Sequence, residues 1–251
     1  FARIVTGNYK LKVIFTGDSA SINTERMMIP PLEDTPEAFD IAKFLVAHES
    51  GHSIYSELNL KANVSRRSTL LGDILNSLED ARIEKLMTER FEGLQLLFED
   101  SIHKIIQEND YSKIPLSIQV LHGLYLLCKG YGTSVLCDEA IKIITPLQKE
   151  ASKALKAKSS RGVLKIAESI YEQIKHLEKD HASQPILPGV NGNPSLPEIV
   201  MGEIEGHKVD PDYDNMADFS FLKDENVDEE DTEFTPDKYP LPQYLALIRR
   251  H

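Results

Sequence analysis

The chain has 251 residues, 41% of them hydrophobic, no Trp and a formal net charge of −12. That is enough apolar material for one large domain or two small ones, and no basic patch argues for nucleic acid. No run approaches the roughly 18 consecutive apolar residues that a membrane span needs, and two cysteines, Cys128 and Cys137, are too few for a disulfide framework.

Both cysteines sit in apolar helical sequence and read as buried free thiols. With no signal peptide in view, a cytoplasmic protein is expected. A start at Phe1 in place of Met points to a processed or excised piece. The charge is uneven: residues 203–251 hold 14 acidic and 5 basic side chains, while residues 1–202 are nearly balanced. The expected organisation is a folded part at 1–183 and, at 184–251, a Pro/Gly linker running into an acidic, largely extended tail.

In chain order, Tyr9 to Phe15 alternates as a strand should, ending at Gly17-Asp18. A second short strand fits Arg26 to Ile29, stopped by Pro30-Pro31. Thr35 is a helix cap and Pro36 suits a first helical position, so a helix is expected from Pro36 to about Leu58, with Phe39, Ala42, Leu45 and Val46 as its apolar stripe. Lys61 to Ser68 is polar and reads as a break. Helices follow near Leu70–Arg90, Leu94–Glu108, Leu116–Lys129, Val135–Leu155, with Pro146 as a candidate kink, and Gly162–His181. The expected fold class is α+β, mainly α: a small N-terminal β-sheet beside an active-site helix, then a helical bundle, then the acidic tail.

The first long helix carries His48-Glu49-Ser50-Gly51-His52. Residues four apart share a helix face, so the two imidazoles can meet one metal ion at about 2.0–2.1 Å. Glu49, one residue on, points beside the ion, where a general base must sit. Gly51 weakens a helix interior by roughly 1 kcal/mol relative to Ala, a cost that makes sense if a neighbouring element passes close there.

A third protein ligand should come from another element. The helix at Leu70–Arg90 offers Asp73, Glu79, Asp80 and Glu84. At about 100° per residue, with Leu78 at the centre of the apolar stripe, Glu79 lies at the stripe's margin and Asp80 on the far side. The margin is where a ligand between two packed helices belongs, which favours Glu79. Asp80 and Glu84 are then expected to be solvated or to support the ligands from behind. Arg82 falls inside the apolar stripe and needs a partner: a site carboxylate, a backbone carbonyl or the substrate carbonyl. Tyr55 shares roughly the face of His48 and His52 and is a candidate oxyanion donor, against a core or rim position. Asn76, one turn before Glu79, is placed to orient a ligand. No other histidine has a partner at ligand spacing, and His122 reads as a core residue.

The ordered set Phe15-Thr16-Gly17, Ile29-Pro30-Pro31, His48-Glu49-Ser50-Gly51-His52 and Asn76-Ser77-Leu78-Glu79-Asp80-Ala81-Arg82-Ile83-Glu84 resembles the metallopeptidase-like N-terminal part of CobT-type proteins of phages and bacteria. These are named after a cobaltochelatase subunit. The motifs cover about residues 9–90. More broadly the pattern is similar to the zincin fold. The resemblance implies a zinc peptidase with His48, His52 and Glu79 as ligands and Glu49 as base, acting on a peptide or protein substrate. It also implies an association with a MoxR-type AAA+ ATPase, and a competing role as a zinc-stabilised, non-catalytic adaptor for such a partner. CobT-type proteins typically continue into a von Willebrand factor A domain, whose metal motif Asp18-Ser19-Ala20-Ser21 matches only in part.

Overall fold

A computed structural model describes residues 1–182 apart from Asp18, Ser19, Glu33 and Asp34. The expectations for 184–251, a linker and an acidic, extended tail, lie outside the described residues. Within those described, no helix is long and apolar enough to cross a membrane.

The protein is mainly helical with a small N-terminal sheet. A short helix α1 (Ala2–Thr6) precedes β1 (Lys12–Phe15), β2 (Ser21–Ile22) and β3 (Arg26–Ile29). β3 is central, parallel to β1 and antiparallel to β2, so β2 forms one edge. The helix α1 and the two-residue β2 were not expected from sequence, being too short to show a period.

Helix α2 runs Pro36–Tyr55, and the Thr35 hydroxyl accepts from the Ala38 N–H at 3.1 Å, as its capping role requires. One flank of α2 meets the sheet core, where Leu45 and Val46 pack against Leu11, Met27 and Ile29. The other flank places Phe44 and Ala47 against Met87, Phe91 and Phe98. Phe39, expected in the stripe, is exposed, with the Lys43 ammonium over its ring.

The segment read as a polar break is a helix, α3 (Leu60–Ser65). Gly72 explains its seat on the next helix, α4 (Thr69–Arg90): a Cβ on Gly72 would lie 3.1 Å from the Ser65 Cα and closer still to its side chain. The Ser68 hydroxyl caps α4 by accepting from the Leu71 N–H at 3.0 Å. Helices α5 (Leu94–Glu108) and α6 (Leu116–Lys129) have the bounds expected. The expected Val135–Leu155 helix is broken into α7 (Asp138–Ile144), a 3-10 turn holding Pro146, α8 (Gln148–Ala151) and a second 3-10 stretch. Proline's missing N–H and its clash with the preceding turn account for the break. The last expected helix is likewise divided, into α9 (Ser160–Ile174) and α10 (Glu178–Ala182).

α4 is the centre of the fold. It packs against α2, α3, α5, α6, α9 and α10, and every residue from Leu70 to Glu84 is buried. Its apolar side joins the main core with α6, α7 and α9. Its charged side is buried too, against α2. Of the thiols, Cys128 is buried and burial pushes it up to about 12, whereas Cys137 is exposed, contrary to expectation.

Two outcomes follow. Alkylation of the native protein with iodoacetamide, read by peptide mass mapping, labels Cys137 and spares Cys128. Gly72→Ala lowers stability by about 1–3 kcal/mol in urea titration, because overpacking against α3 outweighs alanine's helix preference of roughly 1 kcal/mol.

Candidate metal centre

The histidine pair comes from α2 and faces α4. Gly51 lets the helices approach: a Cβ there would sit 2.9 Å from Ile83 Cδ1 and 3.0 Å from Met87 Cγ. This is the close neighbour that the glycine's helix cost called for. Across the contact, a nitrogen from each of His48 and His52 and an oxygen of Asp80 lie within 4.8 Å of one another. Asp80 Oδ1 is 3.0 Å from His52 Nε2 and 3.7 Å from His48 Nε2.

The outer nitrogens of both rings are engaged elsewhere. His48 Nδ1 is 3.1 Å from Glu84 Oε1. Glu84 is held there by the Tyr125 hydroxyl at 2.6 Å and the Lys129 ammonium at 3.1 Å. Burial would raise the Glu84 carboxyl, but Lys129 and His48 bring it down to about 2. An ionised carboxylate only accepts, so His48 carries a proton on Nδ1 and directs Nε2 toward Asp80. His52 Nδ1 is 3.1 Å from the Ser56 hydroxyl, which donates to Glu79 Oε1 at 2.7 Å. Asn76 donates to the other Asp80 oxygen at 2.9 Å and so orients that carboxylate.

Two imidazole nitrogens and a carboxylate oxygen thus converge in a buried space. Carboxylates this close favour positive charge among them, carried by a proton or a metal ion, and the donor types are those of a metal site. The local field agrees. Burial lowers the His48 imidazolium, yet Glu84, Asp80 and Glu49 outweigh it and push the group up to about 9.

Glu79, the ligand expected from helix geometry, is not in this cluster. Its carboxylate is turned to Arg82, which donates from Nε at 2.8 Å and from its terminal nitrogen at 2.6 Å. It also accepts from Ser160 at 2.6 Å. Burial raises Glu79, but these donors together hold it below the ordinary carboxylate range. Arg82 further donates to the Tyr55 carbonyl at 2.7 Å. It thus takes two of the three partners foreseen, a site carboxylate and a backbone carbonyl. Tyr55 offers its carbonyl to this network, while its side chain is partly buried against the apolar cluster between α2, α4 and α5.

Glu49 is 4% exposed and lines a cleft with His52, Asn76, Glu79 and Lys61. Burial raises its carboxyl, and the two imidazoles hold it back only in part. Edge strand β2 forms one wall, through Ser21 and Ile22.

Sequence reasoning missed Asp80 as a member of the cluster and missed Ser56, while Glu84 takes the supporting position that was one of its two alternatives. One signal was present: Asn76, Asp80 and Glu84 recur every four residues and form a polar stripe on one face of α4.

Comparison of the chain with protein-family models, with curated proteins and with solved structures gives no match.

Arg82→Met strands the buried Glu79 carboxylate. Unfolding in urea is expected to show a loss of roughly 3–5 kcal/mol, the cost of breaking one side of a buried ion pair.

Proposed function

We propose that the protein is a zinc-dependent peptidase of the zincin kind, in which His48, His52 and Asp80 hold the metal and Glu49 acts as general base. The observation that carries this reading is the pair of Nε2 atoms turned toward Asp80 Oδ1 at 3.7 and 3.0 Å, with both Nδ1 atoms already engaged. The resemblance to CobT-type proteins is kept on the same terms, with Asp80 in the place first given to Glu79.

Held by His48, His52 and Asp80, zinc would supply Lewis acidity to a carbonyl oxygen and to water. Glu49 would take a proton from the attacking water as its oxygen bonds to the scissile carbonyl carbon, and would give it to the amine as the C–N bond breaks. Buried beside the two imidazoles at the cleft wall, its carboxylate is placed for both transfers. Ser21 and Ile22 offer an extended peptide a strand to pair with, alongside the cleft that Glu49 and His52 share. Arg82 holds Glu79 in place and is a positioning residue. Two imidazoles and one carboxylate also suit Fe(II); the buried Glu49 beside them favours hydrolysis.

The experiment is metal analysis with a peptide-library cleavage screen on the full chain. Purified protein is expected to hold about one zinc per chain, in keeping with a single three-ligand set. His48→Ala, His52→Ala and Asp80→Ala lose it. Glu49→Gln keeps the metal and loses cleavage by about 10²–10⁴-fold. Bound iron, or cleavage undiminished in Glu49→Gln, contradicts the proposal. Stoichiometric zinc with no cleavage by the wild type favours the adaptor reading, in which a AAA+ partner is the target.

A further inference from the structure

The two histidines of the candidate centre are supported by different devices. Glu84 meets His48 directly, at 3.1 Å. His52 meets a neutral hydroxyl, Ser56 Oγ, also at 3.1 Å, and only behind it a carboxylate. Ser56 follows the last residue of α2 and has extended backbone there, φ −108° and ψ 149°. This places its side chain one turn beyond His52, with its Oγ 2.7 Å from Glu79 on α4.

We infer that Ser56 and Glu79 form a relay that fixes the orientation and tautomer of His52, so that Nε2 is the nitrogen offered to the metal. This rests on the metal-site reading above. A hydroxyl has one hydrogen. Glu79 accepts from both Arg82 nitrogens and from Ser160, and as a carboxylate it has no proton to return. The Ser56 hydrogen therefore goes to Glu79. The Ser56 oxygen is left to accept, and the group it accepts from is the Nδ1–H of His52. Glu79 is held rigidly enough to set this direction: Arg82 grips it from its own helix while donating to the end of α2 at the Tyr55 carbonyl. Ser160, the first residue of α9, accepts from the Glu57 N–H at 2.9 Å as it donates to Glu79. The role of Glu79 is thus to act on the metal through Ser56 and His52 as a positioning residue. Partners behind a ligating histidine typically change metal affinity by about 10–100-fold when removed.

The test measures Zn²⁺ affinity of the full chain by chelator competition, with the visible spectrum of the Co²⁺-loaded protein as a second readout. Ser56→Ala is expected to weaken Zn²⁺ binding by about 10–100-fold and to alter the Co²⁺ bands. Ser56→Thr, which keeps the hydroxyl, restores both. Ser160→Ala removes one donor to Glu79 but leaves the Arg82 grip and the Ser56 hydroxyl, and weakens binding by clearly less than Ser56→Ala. If Ser56→Ala binds Zn²⁺ as tightly as wild type with the same Co²⁺ spectrum, the relay is overturned and the metal site stands. If Ser160→Ala loses as much as Ser56→Ala, the effect is general loosening near α9, and the relay is again overturned. If wild type takes up neither ion, the metal-site reading fails and the relay's purpose falls with it.

Discussion

A helix buried on every side that still carries charge is the constraint from which the rest of the structure follows. α4 is covered from Leu70 to Glu84, and that stretch includes Asp73, Glu79, Asp80, Arg82 and Glu84. A charge removed from water costs several kcal/mol unless it is paired and hydrogen-bonded. Each of these has partners from surrounding elements. Asp73 meets His181 of α10 at 2.9 Å and Lys61 of α3 at 3.6 Å. Glu79 and Arg82 join each other, the end of α2 and the start of α9. Glu84 ties α2 to α6 through His48 and Tyr125. The polar contacts of α4 are therefore also the joints that seat its neighbours.

Asp80 is the one member whose pairing draws two imidazoles together. The close approach of α2 and α4 at Gly51 brings them there, and the sheet backs α2 from the other flank. In this account the candidate centre is the part of the buried polar stripe that a cation completes. The cleft meets it from the side of His52 and Glu49, while His48 and Asp80 lie fully covered.

Much of this architecture was legible in the sequence. Thr35 marked the start of α2, Gly51 announced a close neighbour, and α5 and α6 kept their expected bounds. The choice between Glu79 and Asp80 was not legible by the rule applied. That rule treated α4 as a surface helix with one apolar stripe and one wet face, so Asp80, opposite Leu78, was assigned to solvent or to a supporting place behind the ligands. From Leu70 to Glu84 the helix has no wet face, and the side that meets the two histidines is the one assigned to the outer face. Nor could a local pattern show that Arg82, within the apolar stripe, would claim Glu79 three residues away, or that Ser160 would reach it from 81 residues along the chain. The breaks around Pro146 were signalled, but their extent depended on how α7 and α8 pack on α6.

The central claim is that His48, His52 and Asp80 together hold a metal ion. Anomalous diffraction at the zinc absorption edge, from crystals of the zinc-loaded protein, tests it most directly. The account predicts one strong peak about 2.0–2.2 Å from His48 Nε2, His52 Nε2 and an Asp80 oxygen, with Glu79 still on Arg82. A peak ligated by Glu79, or no peak between α2 and α4, would contradict it.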